Sequence, residues 1–187
     1  MIKLEKMSNK QPELDWIAEW RNQTLISLRS SDLTAKGDSQ TKWVNGFVSS
    51  EKYYFIYSDN NKKDDYGFVF CGYCGLDKID PVNRTAEMSL LIDPLQYKQG
   101  FGAEAVKELL RMAFENFNLN CIFIEVILSS TGNIKFWRKQ GFKDEGRLRQ
   151  RHYKQQVYRD SIVGSMTKQE WKDKTLYKNL LISKGLS

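Results

Sequence analysis

Met88-Ser-Leu-Leu-Ile-Asp-Pro-Leu-Gln-Tyr-Lys-Gln-Gly-Phe-Gly-Ala-Glu-Ala105 is the stretch that decides the fold of this chain. An apolar run ends at Asp93-Pro94, a polar loop carries Gly100 and Gly102, and a run of good helix formers, Ala103 to Phe117, follows. This order is typical of an anion site, because the first amides of a helix have no internal partners and the helix dipole adds positive charge there. We therefore expect the loop to bind a pyrophosphate.

Two familiar phosphate-binding loops are excluded by the residues themselves. A Walker loop ends in Gly-Lys-Ser or Gly-Lys-Thr, whereas Ala103 follows Gly102 here. A dinucleotide-binding fingerprint has a third glycine and a later ribose-binding acid, and Gly100-Phe101-Gly102 has no third glycine at that spacing. The loop therefore belongs to another class of phosphate site.

The loop resembles the signature of the GNAT superfamily of acyl-CoA N-acyltransferases, Arg/Gln-x-x-Gly-x-Gly/Ala. It is written here as Tyr97-Lys98-Gln99-Gly100-Phe101-Gly102, so that Tyr97 stands where Arg or Gln is usual. A second segment, 130–146, resembles the family pattern Asn-x-x-Ser/Ala-x-x-x-Tyr-x-Lys-x-Gly-Phe-x-x-x-Gly. In that segment Trp137 replaces the usual Tyr, and Ser130 or Asn133 takes the place of the usual Asn.

The resemblance covers roughly residues 2 to 170 and is closest to the branch of ribosomal-protein N-terminal, spermidine and amino-sugar acetyltransferases. It implies an α/β fold, a single GNAT-like domain over 1–187 with a mixed, mostly antiparallel central sheet and helices on both faces. A capping-box pattern from Thr167 to Glu170 predicts a C-terminal helical extension over about 167–187. Periodicity predicts strands at 2–7, 53–57, 66–76, 85–92, 121–128, 147–153 and 157–166, and helices at 11–22, from 39, 103–117 and 133–139.

Composition fits one ordinary globular domain. The chain has 187 residues, of which 41% are hydrophobic and 28% charged, and a net charge of +6 favours an anionic ligand such as CoA but is too modest to indicate nucleic acid. Three cysteines do not make a disulfide framework. The charged start lacks a signal-peptide core, and no apolar run approaches the ~18 residues of a membrane span. We expect a cytoplasmic protein without membrane contact, as a monomer or homodimer.

The resemblance implies acetyl-CoA as co-substrate, with the diphosphate on the loop amides and the pantetheine arm along the strand before the loop. A free amide on that strand would polarise the thioester carbonyl. Side chains from the second segment would complete the site. The predicted cofactor-binding residues are Leu91, Ile92, Tyr97, Lys98, Gln99, Gly100, Phe101, Gly102, Ala103, Asn133, Phe136 and Trp137.

Acetyl transfer to an amine needs a neutral nitrogen, and a lysine-like amine has a pKa of ~10.4 and an α-amine one of ~8. Glu87 is the predicted base, acting through a water, because it sits on the strand where related enzymes often keep an acid; the alternative is an ion-paired strand carboxylate. A thiol of pKa ~8.5 is a tolerable leaving group, so Trp137 in place of a phenol need not abolish activity.

Two other features suggest chemistry and have plainer interpretations. His152 is the only histidine and suits a general base, but we favour a strand side chain near a hairpin. Cys71-x-x-Cys74 invites a metal interpretation, yet one further cysteine and one histidine make a four-ligand site hard to complete. We therefore expect no metal.

The acceptor is left open between two classes of amine. Arg147, Arg149 and Arg151 alternate on a predicted strand, where they form either a solvated edge or a clamp for a phosphate-bearing acceptor. Trp20-Arg21-Asn22 resembles a triplet of some amino-sugar enzymes. A nucleotide-linked amino sugar would use Trp20, Arg21, Asn22, Arg149 and Arg151, whereas the ribosomal branch suggests a protein N-terminus. A non-catalytic acyl-CoA sensor module is the alternative to an enzyme.

Overall fold

The computed structural model describes residues 1–24, 52–59, 67–129 and 131–174, and its described strands form one sheet. The strands lie in the order β1-β2-β3-β4-β5-β7-β6. All neighbours are antiparallel except β4 and β5, which are parallel. The predicted mixed, mostly antiparallel sheet is thereby confirmed. The strands are β1 (Ile2–Lys6), β2 (Lys52–Asp59), β3 (Phe68–Asp80), β4 (Thr85–Ile92), β5 (Cys121–Ile127), β6 (Lys143–Lys154) and β7 (Val157–Thr167).

Helices cover both faces of the sheet, as predicted. Helix α1 packs on one face, which we call the α1 face, and the later helices pack on the other, which we call the α2 face. A 3₁₀ turn, Pro94–Gln96, leads from β4 into the glycine loop. The helices are α1 (Gln11–Thr24), α2 (Phe101–Arg111), which continues as a π-helical turn over Met112–Asn116, α3 (Thr131–Gln140) and α4, described over 168–174.

The α1 face carries an aromatic core. Leu14 and Ile17 of α1 are fully buried, and Trp20, one turn further on, stacks on Phe70 of β3 with ring centroids 5.3 Å apart. Phe55 of β2 meets the same Phe70 ring edge-on. Aromatic pairs of this kind stabilise a core beyond the area that they bury.

The α2 face carries the larger core. Val106, Leu109, Leu110 and Ala113 form an apolar stripe along the helix, and all four are buried against the sheet. The helix begins at Phe101, two residues earlier than predicted, because the left-handed loop residue before it serves as its N-cap.

Alternation along β4 and β5 divides their side chains between the two faces. In β4, Ala86, Met88 and Ile92 join the α2 core, whereas Leu91 joins the α1 core. Successive side chains of a strand point to opposite faces, so Glu87 and Ser89 share the α1 face with Leu91. The same rule applies to β5, whose α2-face residues are Ile122, Ile124 and Val126 and whose α1-face residues are Phe123 and Glu125.

Strands β4 and β5 pair only at their beginnings. The parallel ladder joins residues 85–87 of β4 to 121–123 of β5 and ends at Glu87 and Phe123. Both strands continue, β4 to Ile92 and β5 to Ile127, without pairing to each other. The sheet is therefore split between them, and we call this opening the strand split.

The C-terminal half closes with a long hairpin. Gln155 and Gln156 turn the chain from β6 to β7, both with positive φ (51° and 60°), which suits a two-residue hairpin loop. The predicted capping box is confirmed. The Thr167 amide donates to Glu170 Oε2 at 2.8 Å, and the Glu170 amide donates to Thr167 Oγ1 at 3.3 Å.

Several predicted boundaries shift because pairing extends the strands. β3 runs to Asp80, beyond its predicted end at residue 76, since Asp80 still pairs with Thr85 of β4. β6 begins at Lys143 rather than Arg147, because Lys143 pairs with Ser165 of β7. The predicted helix from residue 39 lies outside the described residues. No described helix has the length and apolar character needed to span a membrane.

We predict that Gly72→Ala destabilises the fold by about 2–3 kcal/mol. Gly72 has a φ of 146° in β3, and a Cβ built on it would lie 2.1 Å from the Leu91 carbonyl oxygen of β4. The matched control is Gly146→Ala on edge strand β6, where a Cβ meets no atom within 4 Å. Urea unfolding at equilibrium measures both, and equal stabilities would contradict the close approach of β3 to β4.

Candidate functional site

A cleft of about 700 Å³ lies at the strand split. Its walls come from both faces of the sheet, so the cleft passes through the sheet instead of lying on one side of it. Side chains of the α2 face that line it include Leu90, Ile124 and Val126, and those of the α1 face include Glu87, Ser89 and Glu125.

The glycine loop forms one end of this cleft. Gly100 is the N-cap of α2 in the left-handed region (φ 92°), and Lys98 is also left-handed (φ 65°). The amides of residues 98–102 donate no hydrogen bond to any residue that the structure describes. The Ala103 amide, in contrast, donates to the Gly100 carbonyl at 3.0 Å and closes the first helical turn. Five consecutive amides are thus available to an anion at the positive end of a helix dipole.

Space beside the loop explains its second glycine. A Cβ on Gly102 would already be 3.4 Å from the side chains of Ile92 and Leu90, and 3.6 Å from Phe136. Any longer side chain at this position would enter the cleft or push these walls apart. Gly102 therefore keeps the passage between α2 and β4 open.

Helix α3 supplies the opposite wall. Asn133, Phe136 and Trp137 line the cleft together with Gly132. Trp137 is buried and meets Phe136 and Phe142 edge-on, each with centroids 5.2 Å apart. The structure thus brings the predicted cofactor-binding residues to one cleft, except Gln99, which is not part of its lining.

Glu87, the predicted base, faces the cleft from β4. Its Oε2 lies 2.6 Å from Lys78 Nζ, and 20% of its side chain is exposed. The hydrogen bond to Glu87 raises the pKa of Lys78, which favours the charged ammonium. Glu87 Oε1 has no hydrogen bond to a described residue. The ion-paired interpretation is therefore observed, and one oxygen is still open to the cleft.

Glu125 of β5 is a site residue that sequence reasoning missed. Its Oε1 accepts a hydrogen bond from Ser161 Oγ at 2.6 Å and lies 2.8 Å from His152 Nε2. Burial acts to raise the pKa of Glu125, but the hydrogen bonds from Ser161 and His152 outweigh it and leave that pKa below its ordinary value. The signal was present in the sequence, because Glu125 is the one charged residue in the apolar run from Cys121 to Leu128.

His152 is a strand side chain near the β6–β7 hairpin, as we favoured, and it does not line the cleft. It is buried on β6, at 8% exposure, and its ring contacts Glu125. The Cys71 and Cys74 side chains are buried in the α2 core, where burial raises the pKa of both thiols. Among the described residues, no three His, Cys, Asp or Glu side chains are placed to hold a metal ion.

The residues predicted for an amino-sugar acceptor do not line the cleft. Trp20 is a core residue, and Arg21 and Asn22 lie beside it on α1, half-buried. Arg149 is exposed on β6. Arg151 reaches the site only indirectly, with its Nε 3.8 Å from the Oε1 of Glu125.

Comparison with known proteins shows similarity to acetyltransferases. The family model described as an acetyltransferase (GNAT) domain matches residues 9–163. A putative ribosomal N-acetyltransferase of Bacillus subtilis is 29% identical over 106 residues, which is 57% of this chain and 58% of that relative. A spermidine N(1)-acetyltransferase of Vibrio cholerae is 26% identical over 89 residues, 48% of this chain and 51% of the relative. The chain thus spans little more than half the length of the curated relatives it matches.

Solved structures agree with the fold. The crystal structure of a Vibrio cholerae spermidine N-acetyltransferase in complex with CoA and spermine superposes with a TM-score of 0.78. The superposition covers 91% of this chain and 97% of that chain at 19% sequence identity. At this identity the likeness establishes the arrangement of strands and helices.

Proposed function

Because this chain belongs to the GNAT acetyltransferase family, we propose that it transfers an acetyl group from acetyl-CoA to a primary amine. The observation that carries the proposal is that Lys98, Gly100, Phe101 and Gly102, whose amides donate no hydrogen bond to a described residue, line the same cleft as the strand split. An anion site at one end and unpaired strand backbone in the middle suit a long ligand with a diphosphate and an amide-containing arm. CoA is bound by a solved structure of the same fold.

The diphosphate is held by the amides of the loop. Backbone donors at a helix start bind phosphate oxygens without a dedicated cation, and the loop that carries them has left-handed residues at Lys98 and Gly100. The pantetheine arm then follows β4 past Ile92 and Leu91, between the strand and the aromatic wall of Phe136 and Trp137.

We infer that the thioester lies at the strand split. Beyond Glu87 the edge of β4 that faces β5 has no strand partner in the part of the chain that the structure describes, so its backbone groups are available to pair with the arm. An amide on that edge donates to the thioester carbonyl oxygen and stabilises the negative charge that develops there during attack. Holding both reactants in one cleft supplies much of the remaining rate.

The reaction is a direct attack in a ternary complex. The amine nitrogen bonds to the thioester carbon, the C–S bond breaks, and the CoA thiolate leaves. Glu87 takes one proton of the incoming ammonium through a water, with Lys78 held on its other oxygen, and the second proton, which the nitrogen loses as the amide forms, passes to solvent. Trp137 has no acidic proton, so the thiolate, whose thiol has a pKa of ~8.5, departs without a proton donor at this position.

The acceptor is an amine, either a small molecule such as a nucleotide-linked amino sugar or a protein N-terminus. Two relatives are named as ribosomal and spermidine acetyltransferases, so polyamines are included among the acceptors to be tested. We expect the protein to act in the cytoplasm, where acetyl-CoA and these acceptors are both present.

We predict that the purified protein consumes acetyl-CoA in the presence of at least one of three acceptors: an amino sugar, a peptide with a free N-terminus, or spermidine. Free CoA release and the mass of the acetylated product measure turnover. CoA binding without turnover of any amine would contradict the enzyme proposal and support the acyl-CoA sensor module.

We predict that Gly102→Val weakens CoA binding about tenfold or more, because the added methyl groups fill the passage between α2 and β4. Calorimetric titration with CoA measures the effect. Gly146→Ala, which lies outside the cleft lining, is the matched control and keeps the wild-type affinity. Unchanged affinity in Gly102→Val would place CoA elsewhere.

We predict that Glu87→Gln lowers kcat about 10- to 100-fold and leaves the Kd for CoA unchanged, because the amide cannot accept the proton. Steady-state kinetics with the best acceptor of the panel measures both constants. Glu108→Gln on the exposed surface of α2 serves as the control and retains full activity. Retained kcat in Glu87→Gln would exclude this carboxylate as the base.

A further inference from the structure

We propose that the free carboxylate oxygen of Glu125 binds the positively charged amine of the acceptor, and that His152 is the positioning residue that holds this carboxylate toward the cleft. The inference rests on the proposed function, to which it adds the group that captures the acceptor before reaction. It assigns separate roles to the two cleft carboxylates: Glu125 binds the ammonium, and Glu87 takes its proton.

The contacts of Glu125 are one-sided. Ser161, His152 and the more distant Arg151 all approach Oε1, at 2.6, 2.8 and 3.8 Å. Oε2 has no hydrogen bond or ion pair with any residue that the structure describes. Since the side chain lines the cleft and is 19% exposed, Oε2 is the oxygen available to a ligand.

The place of Glu125 in the sheet suits an incoming acceptor. It lies two residues beyond Phe123, the last residue of β5 that pairs with β4, and so stands inside the strand split. It points to the α1 face, as Glu87 does, whereas α2 and the CoA passage lie on the α2 face. An acceptor that enters from the α1 face therefore meets both carboxylates as it approaches the thioester.

The chemistry of Glu125 fits ion binding better than proton transfer. Its hydrogen bonds with Ser161 and His152 favour the ionised form and lower its pKa, and a lowered pKa makes a carboxylate a weaker base at neutral pH. The same hydrogen bonds keep a constant negative charge in a partly buried site. An ammonium that loses water on entering the cleft needs such a partner.

Among the residues that the structure describes, no cationic side chain contacts Oε2 of Glu125. Lys78 Nζ is bonded to Glu87, and the charge of Glu125 contributes to the raised pKa of Lys78 without a direct contact between them. Arg151 approaches the other oxygen and is largely exposed, so solvent screens it. Asp77 of β3, which pairs with Glu87 of β4, accepts hydrogen bonds from Tyr53 and Ser89.

A local irregularity of β6 brings His152 to this position. Most of β6 is exposed, but its register against β7 shifts between Leu148 and His152, and the His152 ring is turned into the protein. Irregularities of this kind re-aim a side chain at the expense of regular pairing. An ionised carboxylate only accepts, so the shared proton sits on His152 Nε2. The ring thereby fixes Oε1 and leaves Oε2 without a hydrogen bond to any described residue.

The sole histidine offers a direct binding test. Protein labelled with carbon-13 at histidine Cε1 gives one ring signal, which is followed at pH 7 and constant ionic strength, with and without CoA. We expect n-butylammonium to shift this signal saturably, n-butanol to leave it in place, and Glu125→Gln to abolish the shift. No shift with the cation, or an equal shift with the alcohol, would overturn the proposal. This binding test needs no turnover, so it decides the proposal even where acetylation fails.

Kinetics separates binding from proton transfer. We expect Glu125→Gln to raise the KM for spermidine or peptide amine about tenfold or more, with kcat within about threefold and CoA affinity unchanged. His152→Phe raises the same KM, whereas His152→Gln, whose amide can still donate to Oε1, restores it. Melting temperatures verify that each variant is folded. A Glu125→Gln variant with lowered kcat and unchanged KM would make Glu125 the base and overturn the proposal.

Discussion

The incomplete pairing of β4 and β5 is the constraint on which the rest of the structure depends. A strand edge in the middle of a sheet leaves backbone groups that must find partners, since buried peptide groups without hydrogen bonds are costly. Here the ladder ends at Glu87 and Phe123, and the unpaired edges line a cleft open to solvent or ligand. On the α2 face, side chains of both strands are buried in one apolar core.

Because side chains alternate along β4 and β5, the two faces of the sheet present different groups to the split. The α2 face carries the helix whose N-terminal amides face the cleft, and the α1 face carries Glu87 and Glu125. A single opening through the sheet thus joins a side with available backbone amides to a side with carboxylates. This arrangement suits the two substrates that we propose for the chain, which are an anionic coenzyme and a cationic amine.

The fold and the glycine-loop end of the cleft were predictable because their sequence signals are local. A strand, a glycine loop and a helix stripe follow one another in sequence, and Thr167 and Glu170 form their capping box as predicted. The Glu125 site was not predictable, since its partners come from β6 and β7 and meet only through long-range pairing. The burial of His152 depends on a register shift that no nearby residue pattern reveals.

The helical turn over Met112–Asn116 has a consequence for where this domain ends. That turn carries Phe114, which is fully buried and meets the Trp171 ring of α4 at a centroid distance of 5.7 Å. The match to the family model ends at residue 163, inside β7. A fragment trimmed to that limit would strip Phe114 of its aromatic neighbour and open the hydrophobic interior, so the folding unit extends at least to Trp171.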